Sequence, residues 1–183
     1  QQEIRKFLLL IGSSNFASKR NVIRYFKFFN QDQAVIKVDL TALLTASEKM
    51  ANEKTGAIIV LERGNNLDFI KNTGDEANIE LSTQILETIF FKNSPLHDGA
   101  IIIKDNQIIA TRVVLPVSDS TAIPSKFGLR HRAGFGISEK TDALVLVISE
   151  QSGEISYIKD GGSCKFKNTE DLRRMITEDL SII

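Results

Sequence analysis

Ala100-Ile101-Ile102-Ile103-Lys104-Asp105-Asn106-Gln107-Ile108-Ile109-Ala110-Thr111-Arg112-Val113-Val114-Leu115 decides the fold. Two β-branched runs flank a two-residue polar turn, the pattern of a β-hairpin. Pro116 cannot donate to a sheet ladder and stops the second strand. Directly upstream lies Asn93-Ser94-Pro95-Leu96-His97-Asp98-Gly99. It brings a turn proline, an imidazole and a carboxylate to the mouth of a buried strand. A residue there is held by the sheet and still reaches solvent, as site residues often do. Asp98 could bind a hard cation or accept a proton from a hydroxyl. It could equally do no more than bond backbone amides in an Asx-turn before Gly99. His97 could be a ligand or orient a neighbour.

Outward from this hairpin, the apolar run Ala57-Ile58-Ile59-Val60-Leu61 has strand length and suits burial on both faces. Before it, Asp39 can cap a helix over residues 40–54, and Gly56 breaks the pattern. Residues 67–75 read as irregular. Ser82 can cap a helix over 83–91. Downstream, a Ser-, Asp- and Pro-containing loop covers 117–126, and 127–138 holds a basic cluster with a short helix. Strands follow at 143–149 and 155–159, hairpin-paired through Gln151-Ser152-Gly153-Glu154. Asn168 can cap a last helix carrying Leu172, Met175, Ile176 and Leu180 on one face, and Glu170 and Asp171 suit its positive N-terminus. At the start, residues 2–11 read as a short helix. Residues 19–29 mix cations with aromatics, which fits either a membrane or nucleic-acid surface or, more simply, a helix docked on the domain. The fold class is α/β: a single globular domain with a central mixed, largely antiparallel β-sheet flanked by helices. The boundary falls between an N-terminal helical extension, 1–38, and the domain proper, 39–183.

Composition narrows the function classes. Lys+Arg and Asp+Glu both number 23, so no global basic field marks nucleic acid as a partner. The single cysteine, Cys164, excludes an internal disulfide and sits in the Gly-rich turn region 160–163 without a neighbouring His. Two histidines cannot build a multi-His metal site. No run of about 18 apolar residues spans a membrane. The chain begins at Gln1 without a signal-peptide pattern, as a fragment would.

Two further clusters carry chemistry. Arg130-His131-Arg132 places three cationic groups side by side, which is costly unless an anion or water surrounds them. Arginine forks suit phosphate oxygens. Gly128, Gly134 and Gly136 would let a ligand approach the backbone. A solvated basic turn is the plainer alternative. Ser149-Glu150 ends one buried strand as His97-Asp98 begins another. If both ends meet, Glu150 and Asp98 could share Mg²⁺ or Mn²⁺. Neither a Walker loop nor a dinucleotide-binding glycine motif occurs.

Pro95-Leu96-His97-Asp98-Gly99-Ala100, Leu115-Pro116-Val117-Ser118, Gly128-Leu129-Arg130-His131-Arg132-Ala133, Gly136-Ile137-Ser138-Glu139 and Ile148-Ser149-Glu150 together resemble the motifs of diadenylate cyclase domains, in order and spacing. The resemblance covers roughly residues 40–162 and is strongest to the membrane-anchored CdaA-type branch. It implies condensation of two ATP into cyclic di-AMP with release of two pyrophosphates. It also implies that Asp98 binds or deprotonates the 3′-hydroxyl and that His97, Asp98 and Glu150 hold Mg²⁺ or Mn²⁺. Arg130, His131 and Arg132 would orient and neutralise the triphosphate, with Ser149 adding a phosphate contact. Leu115, Leu129 and the backbone at Gly99 and Ala100 would line the nucleoside. Each domain would hold one ATP, so catalysis needs a face-to-face homodimer. The implied setting is the cytoplasmic side of a bacterial membrane, reached through an N-terminal region missing from this soluble fragment. Two departures stand out: Leu129 where the family usually has Thr, and Gln151 where it often has Glu. The alternative is a non-catalytic nucleotide-binding regulatory module. A His-Asp metal phosphohydrolase lacks the further His ligands it would need.

Overall fold

The computed structural model describes residues 37–181; the helix expected over 2–11 and the basic aromatic segment over 19–29 lie outside the described residues. Ile, Val and Leu fill β1 (Ala57–Leu61), β3 (Ala100–Lys104) and β5 (Leu144–Ile148), which form the centre of a seven-stranded sheet. Outside them lie β2 (Asp75–Glu80), β4 (Gln107–Val113), β6 (Ile155–Lys159) and β7 (Gly162–Cys164), in the order β2-β4-β3-β1-β5-β6-β7. Only β1 and β3 run parallel; every other neighbouring pair is antiparallel. The expected mixed, largely antiparallel sheet is what forms.

Strand side chains alternate between faces, so an unbroken apolar strand needs a cover on each side. Ile59, Ile101 and Leu146 face α1 (Leu40–Asn52), α3 (Thr83–Phe90) and α5 (Thr169–Leu180). Val60, Ile102 and Val145 face α4 (Leu129–Ser138) and the short α2 (Asp68–Lys71). All three expected caps form: Asp39, Ser82 and Asn168 accept from the amides of Ala42, Ile85 and Asp171. Each is worth about 1 kcal/mol of helix stability. Asp105 and Asn106 have φ of 46° and 65°, the left-handed pair that a two-residue hairpin requires.

Three elements differ from expectation. Residues 67–75, expected to be irregular, hold α2 and lead into β2, an acidic edge strand reading Asp-Glu-Ala-Asn-Ile-Glu. Its polar composition hides the strand signal, because an edge strand packs few of its side chains. Cys164 belongs to β7 rather than to a turn; it is half-buried, and burial pushes its thiol pKa up. β7 is reached through Asp160-Gly161, another positive-φ pair at 49° and 68°.

α5 is pinned to the sheet by a polar anchor. Tyr157 Oη donates to Asp179 Oδ2 at 2.7 Å, and Lys159 Nζ donates to Oδ1 at 2.5 Å. Burial, with the bond to Asp179, drives the Tyr157 pKa far up, so the phenol stays protonated. The anchor holds β6, whose Ser156 hydroxyl meets the His131 ring at the start of α4.

Candidate active site

The register gathers the strand ends. Ala57 pairs with Ile148 and Ala100 with Val113, so β1 and β3 begin where β4 and β5 end. Gly56, Asp98-Gly99, Val114-Leu115 and Ser149-Glu150 therefore share one end of the sheet, and the first turn of α4 lies beside them. A cleft of about 520 Å³ opens there. Of the residues singled out in the sequence, Asp98, Gly99, Ala100, Leu115, Leu129, Arg130, His131, Ser149 and Glu150 all line it. A larger hollow of about 940 Å³ lies elsewhere, against Ala51, Phe127, Cys164 and Phe166, and contains neither Asp98, Arg130 nor Glu150.

Asp98 is exposed and makes no side-chain hydrogen bond or ion pair among the described residues. Gly99 has φ +119°, and a Cβ built on it would lie 2.6 Å from the Arg112 carbonyl carbon. Only glycine fits this close approach of two backbones. Arg130 Nη1 donates to Glu150 Oε2 at 2.6 Å. Gly56 makes room for that pair: a Cβ there would meet the Arg130 guanidinium at 2.8 Å and Glu150 Oε2 at 2.9 Å.

The three basic residues have different surroundings: Arg130 and His131 line the cleft, and Arg132 does not. Arg132 points away, donating to the carbonyls of Ser118 at 3.2 Å and Ser120 at 3.5 Å, where it straps down the loop after β4. His131 is buried at 5% exposure, stacks on Phe127 with centroids 4.5 Å apart, and sets Nε2 3.1 Å from Ser156 Oγ. Burial lowers its pKa; Glu154 opposes the shift and Lys126 adds to it. The imidazole thus braces the start of α4 where it meets the cleft wall. The glycines differ in surroundings too. Cβ atoms at Gly134 and Gly136 would meet Ile158 and Val147, and the Pro116 carbonyl, so both serve packing within the protein. Gly128 alone faces open space.

His131 makes stability depend on pH with a definite sign. Its folded pKa lies below the ordinary 6.5, so the unfolded chain takes up the proton first. The stabilisation is complete above 6.5 and is lost as pH falls below that value toward the folded pKa. The urea midpoint is expected to drop between about pH 7.5 and about pH 5.5. His131→Phe keeps the ring stack and should show a smaller drop; an equal drop in both proteins would place the effect in another group.

For a divalent cation, the donor chemistry fits in part. Asp98 and Glu150 offer hard oxygens on the cleft wall. His97 lines an adjoining concavity of about 440 Å³ shared with Glu150, Arg130, Lys54 and Lys92, and its Nδ1 is engaged with the Ser94 carbonyl at 2.6 Å. Among the described residues no three His, Cys, Asp or Glu side chains converge as a ready metal cage. A cation here would draw most of its ligands from phosphate and water, as Mg²⁺ usually does.

The sequence reading missed Gly56, Arg112, Val114, Val117 and Lys126, of which all but Gly56 line the cleft. Arg112 had a signal, a charge inside a β-branched run. Gly56 was legible only as a helix stop.

Comparison with known proteins extends this geometry. The family model described as DAC, DisA bacterial checkpoint controller nucleotide-binding, matches residues 44–163. The chain belongs to the DAC family. This is the family that the motifs resemble, and its match takes in every cleft residue named above. Diadenylate cyclase CdaS of Bacillus thuringiensis is 42% identical to this DAC chain over 119 residues, covering 65% of this chain and 59% of that protein. Cyclic di-AMP synthase CdaA of Bacillus subtilis is 36% identical over 179 residues, covering 98% and 59%. The chain thus spans about three fifths of the length of these curated relatives. The crystal structure of DacA from Staphylococcus aureus, a double mutant, superimposes with a TM-score of 0.74 at 36% identity, covering 77% of this chain and 94% of that one. No helix among the described residues is long and apolar enough to cross a membrane.

Proposed function

We propose that this DAC domain is a diadenylate cyclase, joining two ATP molecules into cyclic di-AMP with release of two pyrophosphates. One observation carries the reading: Asp98, Arg130 and the adjacent Ser149-Glu150, from three separate segments, meet on one cleft open to solvent. The names of the relatives support it. In-line phosphoryl transfer asks for a base beside the attacking hydroxyl and fixed positive charge beside the phosphates. Asp98 is free to take the 3′-hydroxyl proton. Arg130 meets the triphosphate by exchanging Glu150 for phosphate oxygens, and Ser149 adds a hydrogen bond. Leu115, Leu129, Gly99 and Ala100 line the nucleoside part. A Mg²⁺ or Mn²⁺ ion held by Asp98 and Glu150, with the rest of its ligands from phosphate and water, would supply further charge neutralisation.

A single cleft accommodates one ATP, so each 3′-hydroxyl needs a second copy facing it. Leu129, Val114 and Val117 leave an apolar rim around the cleft, 72%, 66% and 46% exposed, which suits such a face-to-face contact. The resemblance to CdaA-type proteins supports membrane anchoring through sequence outside the described residues. With ATP and Mg²⁺ or Mn²⁺, cyclic di-AMP formation is expected to rise more steeply than linearly with protein concentration. Absence of product across the whole series would overturn the assignment, and a strictly linear rise would overturn weak face-to-face pairing.

A further inference from the structure

Arg112 breaks two local rules at once. It is a charge in a β-branched strand, and its φ is +56°, a left-handed value uncommon outside glycine. The cause is a bulge. Between the pairs Ala100–Val113 and Ile102–Ala110, β4 takes three steps where β3 takes two. Bulges often re-aim a side chain beside an active site. Here the backbone of Arg112 presses on Gly99, at the 2.6 Å that a Cβ would leave, so its conformation is interlocked with the turn that carries Asp98. Both residues line the same cleft.

The ion pair of Arg112 does not explain this arrangement. Nη1 meets Asp75 Oδ2 at 3.2 Å, with side chains 51% and 55% exposed. Exposed pairs of this kind add little stability and do not by themselves justify a strained backbone. In the sheet order β4 lies on one flank of β3 and β1-β5 on the other. Asp98 therefore has Arg112 on one side and the Arg130–Glu150 pair on the other. Arg130 is committed to the triphosphate bound in its own cleft. The second guanidinium has no assigned partner beyond Asp75.

We propose that Arg112 contacts the ATP on the facing copy and stabilises the charge that builds on its α-phosphoryl group during transfer. This rests on the diadenylate cyclase reading. In the step, the 3′-oxygen beside Asp98 forms a bond to the α-phosphorus of the facing ATP. The bond from that phosphorus to the bridging oxygen breaks, pyrophosphate leaves with the electron pair, and the hydroxyl proton passes to the Asp98 carboxylate. Negative charge grows on the equatorial oxygens where a guanidinium fork can meet them.

The test compares turnover, KM for ATP and urea midpoint in wild type, Arg112→Gly, Arg112→Lys and Asp75→Ala. Glycine adopts the positive φ without strain, so Arg112→Gly should match or exceed the wild-type midpoint. Its turnover should fall about 100-fold, with KM within about threefold. Arg112→Lys should recover part of the turnover, and Asp75→Ala should keep all of it. The proposal is overturned if Arg112→Gly retains wild-type turnover. It is equally overturned if Arg112→Gly and Asp75→Ala lose turnover to the same extent, since the pair would then only tie the edge strand. A wild-type protein that makes no cyclic di-AMP at any concentration overturns the functional reading first, before any variant is compared.

Discussion

Asp98→Asn should reduce cyclic di-AMP synthesis by about a thousandfold or more while ATP still binds. The substitution keeps the shape and removes both the negative charge and the basicity. Asp98 is exposed and has no side-chain partner among the described residues, so folding should change by less than about 0.5 kcal/mol. On the proposed function, nucleotide affinity would rest mainly on Arg130, Ser149 and the apolar walls, which the substitution leaves intact. Turnover by product quantification and ATP affinity by calorimetry separate the two effects. Full turnover in Asp98→Asn would remove Asp98 from the role of base. Parallel loss of binding and turnover would make it a binding residue instead.

Gly99→Ala should be the most damaging single-methyl change at the site. Two penalties coincide: φ of +119° is closed to alanine, and the new methyl would stand 2.6 Å from backbone, which cannot swing aside as a side chain can. A loss of about 3 kcal/mol in stability is expected, together with displacement of Asp98 and loss of turnover. Gly128→Ala is the matched control, since nothing lies within 4 Å of its Cβ position. It should cost at most about 1 kcal/mol, the size of a helix-cap effect. Similar urea midpoints for the two variants would mean that the Gly99–Arg112 contact is looser than the structure has it.

Much of the fold was legible because its centre is chemically uniform. β1, β3 and β5 are apolar at nearly every position, and Asp39, Ser82 and Asn168 are strong caps, so periodicity and capping found them. β2 escaped because acidic residues occupy an edge strand that packs little. The site was legible in its motifs and less so in its division of labour. Arg130, His131 and Arg132 are adjacent in sequence, yet successive helical residues point about 100° apart, so three neighbours meet three surroundings. Arg130 faces the cleft, His131 is buried with one edge at the cleft wall, and Arg132 faces a loop. Gly56 owes its place to contacts made across the sheet, which no local pattern encodes, and Arg112 shows locally only as a charge within a β-branched run.

The two margins of the sheet bear on how copies of the domain can stick together. β2 carries Asp75, Glu76 and Glu80, and β7 is three residues long. A strand from another molecule would meet carboxylates on one side and almost no ladder on the other. Growth into open-ended fibrils is therefore discouraged at both borders. Under the proposed face-to-face pairing, crowding would instead drive molecules together through the greasy lip of Leu129, Val114 and Val117, a contact that closes on itself after two copies. On that reading, the borders that discourage edge-to-edge growth among the described residues would leave pairing at the cleft as the favoured self-association.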